Sequence, residues 1–300
     1  MSIKDKLGNG LSENEPLANH TNFKIGGPAR YFFVAQNDED LIKAVKAAKD
    51  LNLAYFILGG GSNILVSDKG FDGLVIKMQN VKIKMQNDNL KLKNCLITAG
   101  AGVKLSELIK LALDNGLIGM EFLAGIPGNV GGAIYGNAGA WGKGISDFVK
   151  EVKVFDGNEI KIIKKEEADF SYRHSRFKET KEIILEATLE LTKGDVEISK
   201  QKIKEILEKR HANQPYQMPC AGCTFKNPSA DQPAAFLIEQ CGLKGKTIGG
   251  AQVSEKHANF IVNTGQAKAS EVRELTELIK KEVKNKFGVD LEEEIILVGF

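Results

Sequence analysis

Reactive side chains gather in a few short stretches in the second half of this chain. DFSYRHSRF (169–177) sets Tyr172, Arg173, His174 and Arg176 side by side. Arginine keeps its charge at any physiological pH and grips carboxylates or phosphates through a planar fork. Taken alone, the stretch reads better as a solvated basic turn between strands. PCAGCTFKNP (219–228) holds the pair Cys220 and Cys223, with Lys226 and Asn227 close behind. A single CxxC with no second pair and no histidine at ligand spacing is scant ground for a zinc site. A cation and an amide beside a thiol look more like a substrate pocket, although buried structural cysteine is the plainer alternative. GGAQVSEKHANFIVN (249–263) carries His257 and Asn259, and LEEEIILVG (291–299) sets Glu292, Glu293 and Glu294 before a strand. Strand alternation puts Glu292 and Glu294 on one side. KRHANQP (209–215) adds Arg210 and Gln214 at a helix end.

Two glycine-rich loops lie upstream of these groups, LGGGSNILVSDKG (58–70) and GIPGNVGGAIYGNAGAWG (125–142). Neither has the spacing of a Walker loop or of a dinucleotide fingerprint. Runs of residues without Cβ let backbone N–H groups approach a phosphate closely. Two such loops suggest a long diphosphate-bearing ligand held from two sides.

The elements that must position these loops follow from hydrophobic patterning. YFFVA (31–35) reads as a strand, Asp38 as the N-cap of a helix over 39–51, and YFILGG (55–60) as a strand entering the first loop, which together suit a βαβ unit. LVIKM (74–78) and LKNCLITAGAG (92–102) continue the β character, and a helix carrying Leu105, Leu108, Ile109 and Ala112 should stop at Gly116. EVKVFD (151–156) and EIKIIK (159–164) form a hairpin candidate around Gly157-Asn158, followed by the strand EIILEATLEL (182–191). A charged helix over 195–212, with Ile203, Ile206 and Leu207 as its buried stripe, reads as a connector between domains. Beyond it come helices near 233–241 and 269–287 and strands near 259–263 and 294–299. The expected class is α+β, with a first region at 1–194 and a smaller α/β domain at 195–300.

Bulk properties narrow the setting. The 300 residues carry 41 basic and 39 acidic side chains, a net charge of +2, which points to neither nucleic acid nor a membrane surface. Four cysteines rule out a disulfide scaffold and suit a reducing cytoplasm. The start MSIKDKLGNG lacks the apolar core of a signal peptide, and no apolar run reaches spanning length.

Taken together, NHTNFKIGGPARYFF (19–33), LGGGSNILVSD (58–68), GIPGNVGGAIYGNAGAWG, YRHSRF, GCTFKNP, GGAQVSEKHANFIVN and LEEEIILVG resemble, in order and over nearly the whole chain, the UDP-N-acetylenolpyruvoylglucosamine reductase family. The length is similar to the shorter form of that family, which lacks a tyrosine-bearing loop insertion. The resemblance implies a two-lobed FAD-binding fold of the p-cresol-methylhydroxylase (PCMH/VAO) type at 1–194, with lobes at about 1–75 and 76–194, followed by a substrate-binding domain at 195–300. It implies that Gly59, Gly60, Gly61, Ser62 and Asn63 hold the FAD diphosphate. Gly125, Ile126, Pro127, Gly128, Gly132, Asn137, Ala138 and Gly139 then line the flavin. The GGGSN loop has no histidine, so the flavin is expected to be non-covalent.

The implied reaction uses NADPH as reductant and sends hydride through the flavin to an enolpyruvyl double bond on a sugar nucleotide. Arg173 and Glu294 match the groups that stabilise charge beside the carboxylate. Cys223 stands where the family pattern most often has the serine that donates a proton. Tyr172, Arg210, Gln214, Lys226 and Asn227 would hold the substrate, with no metal. A further expectation pairs Cys223 with Cys220 in a reversible disulfide that switches the enzyme off. A monomer or weak dimer in the cytoplasm is expected. Two other readings are weaker. An FAD-dependent oxidase of sugars or alcohols would need a different C-terminal site, and a non-catalytic flavin or nucleotide-sugar binding protein would have lost the charged set.

Overall fold

In a computed structural model, residues 2–86, 94–229 and 231–300 are described. The chain divides into two compact units. One comprises Met1–Ser12, Phe32–Gly60 and Leu74–Glu208, and the other Glu13–Tyr31, Gly61–Gly73 and Lys209–Phe300.

In the first unit the helix Asp38–Asp50 buries Leu41, Ala44, Val45, Ala47 and Ala48 on one face. Its N-cap is Asn37, one residue earlier than the sequence suggests. The Asn37 side chain accepts from the Asp40 N–H, which leaves Asp38 in the first turn, where a carboxylate favours the helix dipole. The expected βαβ unit is modified. Tyr55–Leu58 runs parallel to Leu74–Lys77, and the strand Phe71–Met78 lies between it and the strand Pro28–Ala35. The two strands joined by the helix are therefore not neighbours.

A second sheet in this unit is antiparallel, in the order Ile160–Lys164, Val149–Phe155, Ile183–Lys193, Asn94–Gly100, Ile83–Gln86. The expected hairpin is present, with Phe155 opposite Ile160 and Gly157 at φ +99° in the turn. Asp156 Oδ1 closes that turn by accepting from the N–H groups of Asn158 and Glu159. The central strand Ile183–Lys193 buries Ile183, Ile184 and Leu185 together and then alternates, with Ala187, Leu189 and Leu191 buried, the period-2 pattern its sequence carries. Residues 92 and 93 of the stretch expected as the neighbouring strand lie outside the described residues. The helix Leu105–Asp114 buries Leu105, Leu108, Ile109 and Ala112, and Gly116 follows it at φ +75°.

The connector helix Val196–Asn213 carries the chain from one unit to the other between Glu208 and Lys209. Ile203, Ile206 and Leu207 are only half-buried on it, not a buried stripe. A highly charged helix has little apolar face to bury, and its fully covered residues are polar, Ser199 and Arg210.

In the second unit a four-stranded sheet runs Cys220–Cys223, Phe260–Asn263, Ala251–Val253, Thr247–Ile248. The helix Ala269–Phe287 packs Val272, Leu275, Ile279 and Val283 into a core shared with Phe225, Leu237, Ile238 and Ile261. Ile296–Val298 pairs parallel with Ile64–Val66, a shorter last strand than expected. Asp68, from the end of the first glycine loop, closes the N-terminus of that long helix. Its carboxylate accepts from Ala269 N (2.7 Å), Ser270 N (3.0 Å) and Ser270 Oγ (2.8 Å). Burial pushes the Asp68 carboxyl up, but the Ser270 and Ala269 amides more than offset this and hold it below its ordinary value. A depressed carboxyl contributes stability above its unfolded value, about 3.9, and loses it as pH falls through the folded value. Asp68→Asn keeps an acceptor but removes the charge, so it should cost about 0.3–1 kcal/mol at neutral pH and flatten the acid side of the stability profile, read by thermal melts across pH.

Candidate active site

The first glycine loop is anchored at both ends. A Cβ on Gly60 would stand 3.0 Å from Gly128 Cα and 3.0 Å from Asn129 Oδ1, so the two glycine-rich loops touch there. Gly61 lies at φ +64° with the His20 carbonyl 2.0 Å from where a Cβ would be, so no side chain fits. Further along, Asn63 Nδ2 donates to the Glu294 carbonyl at 3.2 Å, and Ile296 N donates to the Asn63 carbonyl at 3.0 Å. By contrast, nothing lies within 4 Å of a Cβ built on Gly59 or on Gly132. Backbone that is clamped yet open over its glycines is what a phosphate-bearing, flat cofactor requires. The residues present fit FAD.

The YRHSR stretch is a tight turn with Tyr172 and Arg173 at its tip, closed by reciprocal backbone hydrogen bonds between Ser171 and His174. It is fastened to the second glycine loop. Arg173 Nη1 donates to the Gly139 carbonyl (3.0 Å), and Asn137 Nδ2 donates to the Ser171 carbonyl (2.8 Å). Asn137 Oδ1 also accepts from Ser146 N at 3.2 Å. Asn137, Trp141 and Arg173 all have positive φ (+44°, +52° and +55°), a conformation that non-glycine residues adopt only when their surroundings compel it. Arg173 also lies 5.4 Å from the Tyr172 ring centroid, and that tyrosine is exposed. Arg176 instead makes a bidentate pair with Glu182, 3.0 Å on both branches, and donates to the Glu167 carbonyl; its job is to hold the turn.

In the second unit the structure brings Cys223 and Glu294 onto adjacent backbone. Glu294 N donates to the Thr224 carbonyl and Lys226 N to the Glu292 carbonyl, both at 2.8 Å, around a bridge between Phe225 and Glu293. On the other side Asn259, buried at 2% exposure, clamps Phe225. Its Oδ1 accepts from Phe225 N (2.9 Å) and its Nδ2 donates to the Phe225 carbonyl (2.8 Å). Residues 223–227 are thus threaded between two partners. Lys226 forms an ion pair with Glu292. Asn227 Oδ1 accepts from Ala234 N at the start of the helix Ala234–Gln240 (3.1 Å). Arg210 is buried near the end of the connector helix, and its carbonyl accepts from Gln214 N.

All four cysteines are free thiols. Cys220 and Cys223 stand opposite Val262 and Phe260 across a bulge, with Gly222 at φ +81°, and burial pushes the Cys220 thiol up. Of the sequence-predicted catalytic residues, Arg173 belongs to the first unit with Gly139, whereas Cys223 and Glu294 belong to the second. The structural roles of Asn259 and Asp68 escape sequence reading. Asp68 lies in the polar turn sequence SDKG and Asn259 two residues after His257, and neither context says what the side chain will touch.

A sheet-based α+β fold with two touching glycine loops defines the class, a flavin-binding protein of the p-cresol-methylhydroxylase type. Residues 29–162 match the family model described as FAD binding domain, and residues 214–298 match the one described as UDP-N-acetylenolpyruvoylglucosamine reductase, C-terminal domain. The UDP-N-acetylenolpyruvoylglucosamine reductase of Caldanaerobacter subterraneus subsp. tengcongensis is 44% identical over 303 residues, 99% of this chain and 98% of that protein. That of Lachnoclostridium phytofermentans is 41% identical over 287 residues, 95% of this chain and 92% of that protein. Among solved structures, the UDP-N-acetylenolpyruvylglucosamine reductase of Thermus caldophilus superposes with a TM-score of 0.78 at 34% identity, covering 95% of this chain and 98% of that one. The chain belongs to the UDP-N-acetylenolpyruvoylglucosamine reductase family, and it is an FAD-dependent UDP-N-acetylmuramate dehydrogenase of peptidoglycan precursor synthesis.

Proposed function

We propose that this enzyme uses NADPH to reduce the enolpyruvyl group of UDP-N-acetylglucosamine enolpyruvate, giving UDP-N-acetylmuramate, with Cys223 as proton donor. The observation that supports this most is the backbone pairing that sets Glu294 beside the Cys223–Lys226 segment. FAD, when bound, supplies the hydride relay between the nicotinamide and the enolpyruvyl double bond. Hydride adds to the far carbon, and the electron pair of the double bond is left on the carbon next to the carboxylate. The Arg173 guanidinium and the Glu294 carboxyl stabilise the resulting enolate, a preorganised electrostatic effect that is usually the largest catalytic term. The Cys223 thiol then gives its proton to that carbon and regains one from solvent.

Gly59 to Asn63 would hold the FAD diphosphate through backbone amides. Gly125, Ile126, Pro127, Gly128, Gly132, Asn137, Ala138 and Gly139 would line the flavin, bound non-covalently. Tyr172, Arg210, Gln214, Lys226 and Asn227 would hold the sugar nucleotide. In this reading residues 1–194 serve the flavin and 195–300 the substrate, in a cytoplasmic monomer or weak dimer. No helix among the described residues is long and apolar enough to cross a membrane.

A visible spectrum tests the reading directly. Purified protein should show oxidised flavin that NADPH bleaches anaerobically and the enolpyruvyl nucleotide sugar restores. A colourless protein that takes up no added FAD would overturn it.

A further inference from the structure

Three consecutive glutamates, Glu292, Glu293 and Glu294, precede the last strand, and nothing in their chemistry says which should face where. The structure chooses. Leu291 and Ile295 are buried, each at 6% exposure, so the odd-numbered positions of this segment face the core. Glu293 shares that parity and occupies a place where an apolar side chain would be expected. Its side chain is 14% exposed and is held by two cations of the helix Ala269–Phe287. Arg273 Nη1 lies 2.8 and 2.7 Å from the two carboxylate oxygens, and Lys280 pairs with the same group. Both cations also reach Glu277, at 3.2 and 3.1 Å, which keeps them fixed on the helix. Burial pushes the Glu293 carboxyl up, and the hydrogen bonds from Lys280 and Arg273 more than offset it.

A half-buried ion cluster in a row of apolar neighbours gains little stability over a hydrophobic side chain, but it can specify which arrangement forms. Here the competing arrangements are concrete. A slip of one residue would turn Glu292 or Glu294 toward the helix and carry the remaining glutamates to the wrong side. We propose that Glu293, gripped by Arg273 and Lys280, is a positioning residue that locks the register in which Glu294 faces away from the helix and toward the reaction. The proposal rests on the reading of Glu294 as a catalytic group.

The test separates the two half-reactions by anaerobic stopped flow. In Glu293→Gln, reoxidation of reduced flavin by saturating enolpyruvyl nucleotide sugar should slow by about 10- to 100-fold, the scale of a misplacement near 1 Å. Flavin reduction by NADPH and the KM for the sugar nucleotide should stay near wild type. Arg273→Lys should retain most of the rate, whereas Arg273→Ala should match Glu293→Gln. The double variant Arg273→Ala/Glu293→Gln should be no slower than either single one, because both remove the same lock. Should Glu293→Gln fail to fold, the comparison of Arg273→Lys with Arg273→Ala decides the same question. Wild-type reoxidation in Glu293→Gln, equal slowing of both half-reactions, or a raised KM with unchanged kcat would each overturn the proposal. Glu294→Gln is the companion measurement. If it turns over normally, the catalytic reading of Glu294 fails; if it is slow while Glu293→Gln is not, only the positioning role fails.

Discussion

Replacing Arg173 by alanine should slow the delivery of hydride to the enolpyruvyl substrate by about 10²–10³-fold, the cost of removing one charged donor from a developing oxyanion. Reduction of the flavin by NADPH should be nearly unaffected, because no enolate forms in that step. The structure explains why the effect should be large. Arg173 is held at φ +55°, a backbone conformation that costs about 1–3 kcal/mol when a non-glycine residue adopts it at a constrained site. One branch of its guanidinium is fixed on the Gly139 carbonyl, within the loop expected to line the flavin. In the proposed role, a guanidinium held in this way needs no reorganisation during the reaction. Arg173→Lys restores a positive charge but not the planar fork, so it should recover only part of the loss. Flavin content separates this effect from damage to the loop. A variant that binds FAD normally and reoxidises at the wild-type rate would show that the enolate is stabilised elsewhere.

The second large effect is expected at Cys223. Cys223→Ala should lower turnover by about 10²–10⁴-fold, the usual worth of a positioned general acid, with the loss confined to flavin reoxidation. Cys223→Ser should remain active, since a hydroxyl of similar size can deliver the same proton. The two active forms should differ under peroxide, because a thiol can be oxidised and a serine cannot. Full activity in Cys223→Ala would end the donor reading, and an inactive Cys223→Ser would show that the site requires sulfur for another reason.

Much of this protein is legible in its residues in order. The glycine loops, the hairpin at Gly157, the helix Ala269–Phe287 and the apolar faces of most helices follow from local rules, because caps, turns and hydrophobic periodicity act over a few residues. Family membership follows from motifs spread along the chain. Boundaries set by one side chain are less secure. Asn37 and Asp38 are both good caps, and only the hydrogen bond to Asp40 N decides between them.

What the tertiary structure alone decided are the long-range pairings. That Phe71–Met78 enters between the two strands joined by a helix could not be read, because strand order depends on contacts distant in sequence. The same holds for Asp68 closing a helix two hundred residues later, and for Asn259 gripping Phe225. The run Glu292–Glu294 makes the point most sharply. Alternation along the run sets Glu293 apart from Glu292 and Glu294, but only the packed helix supplies the cations, Arg273 and Lys280, that hold it.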